Sequence, residues 1–166
     1  MNTKKTAIVA ASMAFLGMFA LCSSNVASAT WKRGSATGCT LENGGMQILA
    51  GVLSVLGPTG GRTFTDAAEC AYPDDSTFPH GTVNQINLHG SGQVTFMPCT
   101  KFWNGASYSC SSPKASGGGT YATSFFASDL TSSWRQGGAG DANFPYIEML
   151  MVEGSGAQFW GWWITT

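Results

Sequence analysis

Residues 99–110 read CTKFWNGASYSC, in which two cysteines flank an Asn-Gly pair. Asn104-Gly105 is a strong signal for a β-hairpin, because a type I′ turn needs positive φ at both central residues. With that turn in place, Cys99 lies directly opposite Cys110 on the two arms. Opposed residues of an antiparallel pair have Cα atoms about 4.5 to 5.5 Å apart, a separation that a disulfide bridges. The stretch therefore predicts a hairpin closed by a Cys99–Cys110 disulfide.

The first thirty residues are typical of an export signal. A short basic region precedes an apolar run from Ala7 to Leu21, and Ala27-Ser28-Ala29 offers the small residues that signal peptidase requires. We expect a signal peptide over residues 1–29 and a secreted domain over residues 30–166. A transmembrane anchor is the competing interpretation, but it needs about 20 apolar residues and this run is shorter. After cleavage we expect no membrane span and an extracellular or periplasmic location.

The chain has five cysteines, and Cys22 belongs to the signal segment. A lipoprotein acylated at Cys22 is disfavoured, because a bulky residue precedes it. The four remaining cysteines predict two disulfides, since an even number in an exported chain is typical of an oxidised framework. With Cys99 paired to Cys110, the second bridge joins Cys39 to Cys70. Zinc is the rival use of four cysteines, but the sequence contains no Cys-x-x-Cys pair.

Composition excludes several classes of function. Charged side chains make up only 10% of the chain, and the net charge is −1. No block of like charges occurs, so a nucleic-acid surface or a polybasic membrane patch is not expected. The 43% hydrophobic fraction favours a folded domain over a disordered chain.

Turn-rich segments recur between short segments rich in β-branched and aromatic residues, which predicts an all-β, single-domain β-sandwich of jelly-roll type with two disulfides. Met46–Leu56 also fits a helical stripe, but Gly51 in its middle favours a strand. Tyr146–Glu153 is largely apolar on both faces, which is typical of a central strand. Pro98 indicates an edge strand, because proline cannot donate to a ladder. The predicted strands are Thr82–His89, Gln93–Trp103, Ser107–Cys110, Thr120–Ala127, Tyr146–Val152 and Gln158–Thr165.

Aromatic residues give the best indication of a binding function. The chain has six tryptophans, and exposed rings stack on sugar faces or anchor protein interfaces. We expect Trp31, Trp160 and Trp162 in the core, with Ile164 beside Trp162. The predicted surface platform consists of Trp103, Tyr108, Trp134 and Trp163.

Recognisable catalytic machinery is missing from the sequence. It has no Gly-x-Ser-x-Gly elbow, no zinc-binding His-Glu-x-x-His and no phosphate loop. His80 and His89 are expected in a turn and at a strand end. Glu148 and Glu153 would lie on opposite faces of one strand, which makes them a poor pair for glycoside hydrolysis. We therefore expect a protein that is not an enzyme and uses no cofactor.

Asp74-Asp75 is the most pronounced acidic feature. Oxygen ligands in this loop could hold calcium, together with Asp66 or Asp141. The preferred interpretation is an Asx-type turn, so no metal site is predicted. Asp129 is expected to cap a short helical turn that leads to Trp134.

A pattern of cysteines, aromatic residues and turn residues runs from Cys70 towards the end of the chain. Its motifs are Cys70, Pro73-Asp74-Asp75-Ser76, Ile86–His89, Cys99, Trp103 and Cys110, followed by Leu130, Trp134, the strand around Tyr146 and Gly161. In this pattern the chain resembles an uncharacterised group of exported four-cysteine bacterial proteins, found among myxobacteria and other proteobacteria. It departs from the group by placing Ala71-Tyr72 between the cysteine and the proline. The resemblance implies a shared disulfide-bonded β domain over about residues 68–165, and no activity.

Three functions of different class follow from these observations. The preferred hypothesis is a secreted, non-catalytic module that binds carbohydrate or another cell-surface polymer. The second is a self-associating structural protein of the envelope or the extracellular space, since low charge and apolar strand edges favour packing between copies. The third is a hydrolase of unrecognised type, which the small number of ionisable side chains disfavours.

Overall fold

The computed structural model describes residues 31–42, 44–57, 65–72, 79–102, 107–135 and 143–166. The predicted signal peptide, Trp103, the Asn104-Gly105 turn and the Asp74-Asp75 loop lie outside the described residues. Within the described ranges, no helix has the length and apolar character needed to cross a membrane.

The described residues form twelve strands and one short helix, α1 (Ser132–Arg135). Three 3₁₀ turns cover Ala36–Gly38, His80–Thr82 and Ala127–Asp129. The strands are β1 (Trp31–Ser35), β2 (Cys39–Leu41), β3 (Met46–Leu49), β4 (Val52–Val55), β5 (Thr65–Ala71), β6 (Gln85–Ser91), β7 (Val94–Lys101), β8 (Tyr108–Cys110), β9 (Lys114–Ala115), β10 (Thr120–Phe126), β11 (Phe144–Val152) and β12 (Gln158–Thr165).

The strands form two antiparallel sheets. Sheet A has the order β10-β6-β12-β4-β3, and β1 also pairs with β12. Sheet B has the order β2-β5-β11-β7-β8, and β9 also pairs with β7. The predicted all-β sandwich is confirmed, and β11 is a central strand between β5 and β7, as its apolar faces predicted.

The prediction of an edge strand at Pro98 is wrong. Pro98 belongs to β7, which lies inside sheet B between β11 and the short strands β8 and β9. β8 pairs with residues 99–101 of β7, and β9 pairs with residues 95–96. Pro98 lies between these two registers, so neither short strand depends on its missing N–H.

Both predicted disulfides are present, and both lie in sheet B. Cys39 and Cys70 are directly opposed on β2 and β5. Cys99 and Cys110 are directly opposed on β7 and β8, in the register that the hairpin predicted. The disulfides therefore connect neighbouring strands and add no link between the two sheets.

Residues Met46–Leu56 form strands, as favoured, but two of them. Ala50 and Gly51 separate β3 from β4 and have φ values of 50° and 80°. Positive φ at both central residues is the requirement of a two-residue hairpin turn. The glycine therefore marks a turn between two strands, which explains why the segment lacks a continuous strand.

The hydrophobic core lies between the two sheets. Trp134 of α1 belongs to this core, where its ring meets Tyr72 edge-on at 5.5 Å and His80 edge-on at 6.3 Å between centroids. His80 is fully buried beside this ring. The largest fully buried side chains include Trp134, Phe96, Phe125, Phe159, Leu53, Ile86, Leu88, Met149 and Met151.

Asp129 caps a short helical turn, as predicted, and this turn is the 3₁₀ turn Ala127–Asp129 that precedes α1. Its Oδ2 accepts hydrogen bonds from Lys114 Nζ at 2.7 Å and from the Phe126 backbone N–H at 2.8 Å. The Lys114 bond and then the Phe126 bond lower the pKa of Asp129. At the start of α1, Thr131 Oγ1 accepts from the Trp134 N–H at 3.2 Å instead. Asp129 thus closes the preceding 3₁₀ turn and anchors it to β9.

Candidate functional site

The outer side of sheet A carries rows of side chains that cross four strands. Side chains alternate between the two sides of a strand. Ile86, Phe125 and Ile164 belong to the core, so the residues on either side of them in sequence face outward. We call this surface the aromatic face. Its rows, taken across β10, β6, β12 and β1, are Phe126-Gln85-Thr165-Trp31, Ser124-Asn87-Trp163-Arg33 and Ala122-His89-Gly161-Ser35.

A shallow groove of about 210 Å³ lies on the aromatic face, lined by Trp31, Arg33, Trp163 and Thr165. Trp31 is opposite Thr165, and Trp163 is opposite Arg33. The two tryptophans are therefore diagonal neighbours on adjacent strands, about 7 to 8 Å apart. Trp31 is 56% exposed and Trp163 is half-buried. The groove thus offers two indole rings to a ligand that approaches the sheet from solvent.

Arg33 places a positive charge inside this groove. Its guanidinium carbon lies over the Trp31 ring, 4.6 Å from the ring centroid. Arg33 is exposed and forms no ion pair with a described residue. The cation is held by contact with an aromatic ring, an interaction of about 0.5 to 1 kcal/mol at an exposed site.

Amide and hydroxyl side chains lie beside the groove. Asn87 Oδ1 accepts hydrogen bonds from Gln85 Nε2 at 2.9 Å and from Ser124 Oγ at 2.6 Å. Asn87 Nδ2 and His89 Nε2 are buried and have no hydrogen-bond partner among the described residues. A buried polar group without a partner costs about 1 to 3 kcal/mol. The aromatic face therefore combines two indoles with polar groups whose hydrogen-bonding capacity is only partly used.

The outer side of sheet B is different in character. Glu69 and Glu148 are directly opposed on β5 and β11, and Glu42 follows β2. Burial, and then repulsion from Glu42 and Glu69, raises the pKa of Glu148. Burial, together with the charges of Glu69 and Glu148, raises the pKa of Tyr146 to about 12. We call this surface the acidic face; a second groove on it, of about 180 Å³, is lined by Thr40, Glu69, Ala71, Lys101, Phe144, Pro145 and Tyr146.

The structure does not bring the predicted platform residues together. Trp163 lies on the aromatic face, whereas Tyr108 is 70% exposed on β8 of sheet B. Trp134 is fully buried against Tyr72, so its predicted surface position is wrong. Trp103 lies outside the described residues.

Two tryptophans that were expected in the core are on the surface. Trp31 and Trp160 are 56% and 42% exposed, respectively. Trp160 lies at a β-bulge, and its Nε1 donates to Gln158 Oε1 at 3.1 Å. The position of Trp31 could have been inferred, because alternation places it on the same side of β1 as charged Arg33. Trp162 packs against the core, as predicted.

Glu148 and Glu153 do not form an accessible catalytic pair. Glu148 is on the acidic face, whereas Glu153 is buried beside Asp66. Asp66 and Glu153 are 3% and 7% exposed, and one oxygen of each lacks a partner among the described residues. Burial, and then Glu153, raises the pKa of Asp66. A proton shared between the two carboxyls fits this burial, and neither group borders the groove of the aromatic face.

Among the described residues, potential metal-ligating side chains meet in one cluster of three, Cys99, Cys110 and Glu148. Its two sulfurs are bonded to each other, so one carboxylate oxygen remains and the cluster is not a metal site. The candidate calcium ligands Asp74 and Asp75 lie outside the described residues.

Comparison with known proteins finds distant similarity to solved structures. No protein-family model matches the chain, and no curated protein matches it. Similar solved structures include a low-affinity xylan-binding module of family 86 from Roseburia intestinalis, with 11% identity and a TM-score of 0.46 over 82% of this chain and 95% of that one. A mutant family 29 carbohydrate-binding module, complexed with mannohexaose, has 13% identity and a TM-score of 0.45 over 83% and 92%. The family 11 carbohydrate-binding module of a Clostridium thermocellum cellulase has 14% identity and a TM-score of 0.41 over 81% and 86%.

At these identities and TM-scores the similarity carries no conclusion about this chain. The resemblance to exported myxobacterial and other proteobacterial proteins stays a prediction.

Proposed function

We propose that this protein is an exported, non-catalytic binding protein that holds a glycan polymer on its aromatic face. The observation that supports the proposal is the groove in which Trp31 and Trp163 lie side by side. Indole rings offer a large flat contact area and lose little rotamer entropy on binding. A pyranose ring has an apolar face of C–H groups that stacks on such a surface.

The polar neighbours of the groove supply the second half of carbohydrate recognition. Sugar hydroxyls need donors and acceptors placed around the stacked ring, and a few convergent polar groups are typical of ligand sites. Gln85, Asn87 and Ser124 lie in the same rows as the groove residues. The rows cross four strands, a width of about 14 Å at the usual strand spacing. This width favours an extended oligosaccharide over a single sugar.

We propose a non-catalytic protein because the aromatic face carries no carboxylate at its twelve outward positions, all of which are described. Hydrolysis of a glycosidic bond ordinarily requires two carboxyl groups that flank the bond. The signal segment and the two disulfides support export to an oxidising compartment.

The test measures binding of the secreted protein to a panel of neutral and acidic polysaccharides by affinity electrophoresis and calorimetry. We expect Trp163→Ala and Trp31→Ala each to weaken binding at least about tenfold, as is typical of aromatic residues at the centre of an interface. Tyr108→Ala is the matched control, since it removes an exposed ring from sheet B and should leave affinity within about twofold.

Two outcomes contradict the proposal. One is unchanged affinity in both tryptophan variants. The other is the absence of glycan binding, combined with concentration-dependent assembly that Trp31→Ala abolishes. That second result would assign the aromatic face to self-association instead.

A further inference from the structure

We propose that the glycan bound by the aromatic face carries carboxylate groups, as uronic acid residues do, and that Arg33 recognises them. This inference rests on the proposed function and adds the class of ligand. It starts from the charge in the groove, which stacking on a neutral sugar does not require.

Arg33 is the one side chain with a formal charge among the twelve outward positions of the aromatic face. It lines the groove together with both tryptophans and has no acidic partner among the described residues. Guanidinium groups bind carboxylates through two parallel N–H···O bonds, and such charge-assisted pairs are stronger than neutral hydrogen bonds. A carboxylate that enters the groove therefore finds a partner that the protein itself leaves unused.

The contact with Trp31 prepares Arg33 for this role. The ring holds the guanidinium 4.6 Å from its centroid and limits the rotamers that a free arginine would sample. An arginine held before binding loses less conformational entropy when the ligand arrives. Contact with the ring also leaves N–H groups of the guanidinium free to donate to the ligand.

The position of Arg33 matches a substituent on a stacked sugar. Arg33 is directly opposite Trp163 on the neighbouring strand, and its guanidinium reaches towards Trp31. A ring stacked on Trp163 would thus place an equatorial substituent within reach of the guanidinium. Trp163 and Arg33 belong to the same row as Asn87, whose buried Nδ2 has no described partner.

The opposite side of the molecule favours the same orientation for an acidic polymer. The acidic face carries Glu42, Glu69 and Glu148, and Lys101 is a basic residue near them. These carboxylates repel an anionic chain, and the repulsion extends over about 8 to 10 Å at physiological salt. A uronate polymer is therefore attracted by one face and repelled by the other, whereas a neutral polymer experiences neither effect.

The experiment compares three uronate polymers, glucuronoxylan, polygalacturonate and alginate, with the same polymers after chemical reduction of their carboxyl groups. We expect at least one uronate polymer to bind about tenfold more tightly than its reduced form at low salt. Arg33→Gln should remove this preference, and Arg33→Lys should retain part of it, because lysine keeps the charge without the planar fork. Lys101→Gln, on the acidic face, is the charge-matched control and should leave the preference unchanged.

The outcomes separate this inference from the proposed function. If reduced and neutral polymers bind as tightly as uronates and depend on Trp163, the glycan-binding function stands and the role of Arg33 is overturned. If Arg33→Gln keeps the full preference for uronates, the inference is also overturned. If no polysaccharide in either set binds, both proposals fall. Thermal unfolding of Arg33→Gln should differ little from that of the wild type, since the side chain is exposed and the variant loses only its contact with the Trp31 ring.

Discussion

The two sheets of this sandwich differ in their covalent cross-links and in their outer surfaces. Sheet B contains both described disulfides, has the long apolar strand β11 at its centre and carries carboxylates on its outer side. Sheet A has no disulfide among the described residues, and its outer side carries the aromatic groove. The covalent cross-links and the proposed ligand surface thus lie on opposite sides of one core.

The position of β1 sharpens this contrast. β1 carries Trp31 and Arg33, half of the groove lining, yet it is attached to the molecule through its pairing with β12. By comparison, the edge strand β2 of sheet B is tied to β5 by the Cys39–Cys70 bridge. The proposed ligand surface therefore depends on a strand held by packing and hydrogen bonds.

Loss of the Cys39–Cys70 bridge is expected to have the largest effect on stability. The two cysteines are 31 residues apart in sequence, and in the chain-entropy model a loop of this length contributes about 3 to 4 kcal/mol. The double variant Cys39→Ser, Cys70→Ser should lose this much free energy of unfolding in urea. Its glycan affinity should stay unchanged where the protein is folded, since the bridge lies in sheet B.

The Cys99→Ser, Cys110→Ser variant is the matched comparison. Its shorter separation of 11 residues predicts a smaller loss, by about 1 kcal/mol. If either double variant folds but no longer binds glycan, the disulfides of sheet B and the proposed ligand surface of sheet A are not independent, contrary to this expectation.

Gly34→Ala is expected to disturb the aromatic face from beneath. Gly34 lies opposite Trp162, and a Cβ at this position would fall within 3 Å of the Trp162 ring. Overpacking of this kind costs about 1 to 3 kcal/mol, because the ring and the strand must move apart. We expect a lower melting temperature and weaker glycan binding, since β1 carries Trp31 and Arg33.

Gly38→Ala is the control for Gly34→Ala. Gly38 lies in the 3₁₀ turn after β1, and a Cβ there meets no atom within 4 Å. Stability should change by less than about 1 kcal/mol, with a small gain being the typical result of reduced chain entropy. Equal losses in the two variants would mean that the contact with Trp162 is not the cause.

Local signals in the sequence predict the scaffold well. The Asn104-Gly105 pair in the sequence predicts the register of Cys99 and Cys110, because pairing in a hairpin follows from counting back along its arms, and the structure has this register. The apolar faces of β11 give its central position because a strand covered on both sides loses its alternation. Both inferences use contacts between residues close in sequence or between residues of one strand.

The candidate site depends on contacts that local patterns do not contain. Trp31 and Thr165, at opposite ends of the described chain, lie beside each other because β1 pairs with β12. Trp134 is buried because its ring packs against Tyr72 and His80, which are distant from it in sequence. Alternation also places Trp160 on the same side of β12 as Trp162, but the β-bulge at Trp160 interrupts the alternation and leaves this ring exposed.

The smallest expected effect concerns the charge of Glu148 on the acidic face. The pKa of Glu148 is raised in the folded protein by burial and then by Glu42 and Glu69. A raised pKa means that the stabilising contribution of this group is complete below its unfolded pKa, near 4.3. That contribution is lost as the pH rises through the folded pKa, because the folded protein then holds a carboxylate that burial and two like charges disfavour.

Glu148→Gln should therefore stabilise the protein at pH 7 by about 0.2 to 1 kcal/mol, the range of a like-charge pair across neighbouring strands. The gain should fade towards pH 4, where the wild-type carboxyl is largely protonated, and urea unfolding at several pH values measures this difference. Glu69→Gln should give a gain of the same sign, since it removes the opposed partner on β5. A Glu148→Gln variant that is less stable than the wild type at pH 7 would show that the carboxylate makes a favourable contact. The negative charge of the acidic face would then stabilise sheet B, instead of destabilising it as expected.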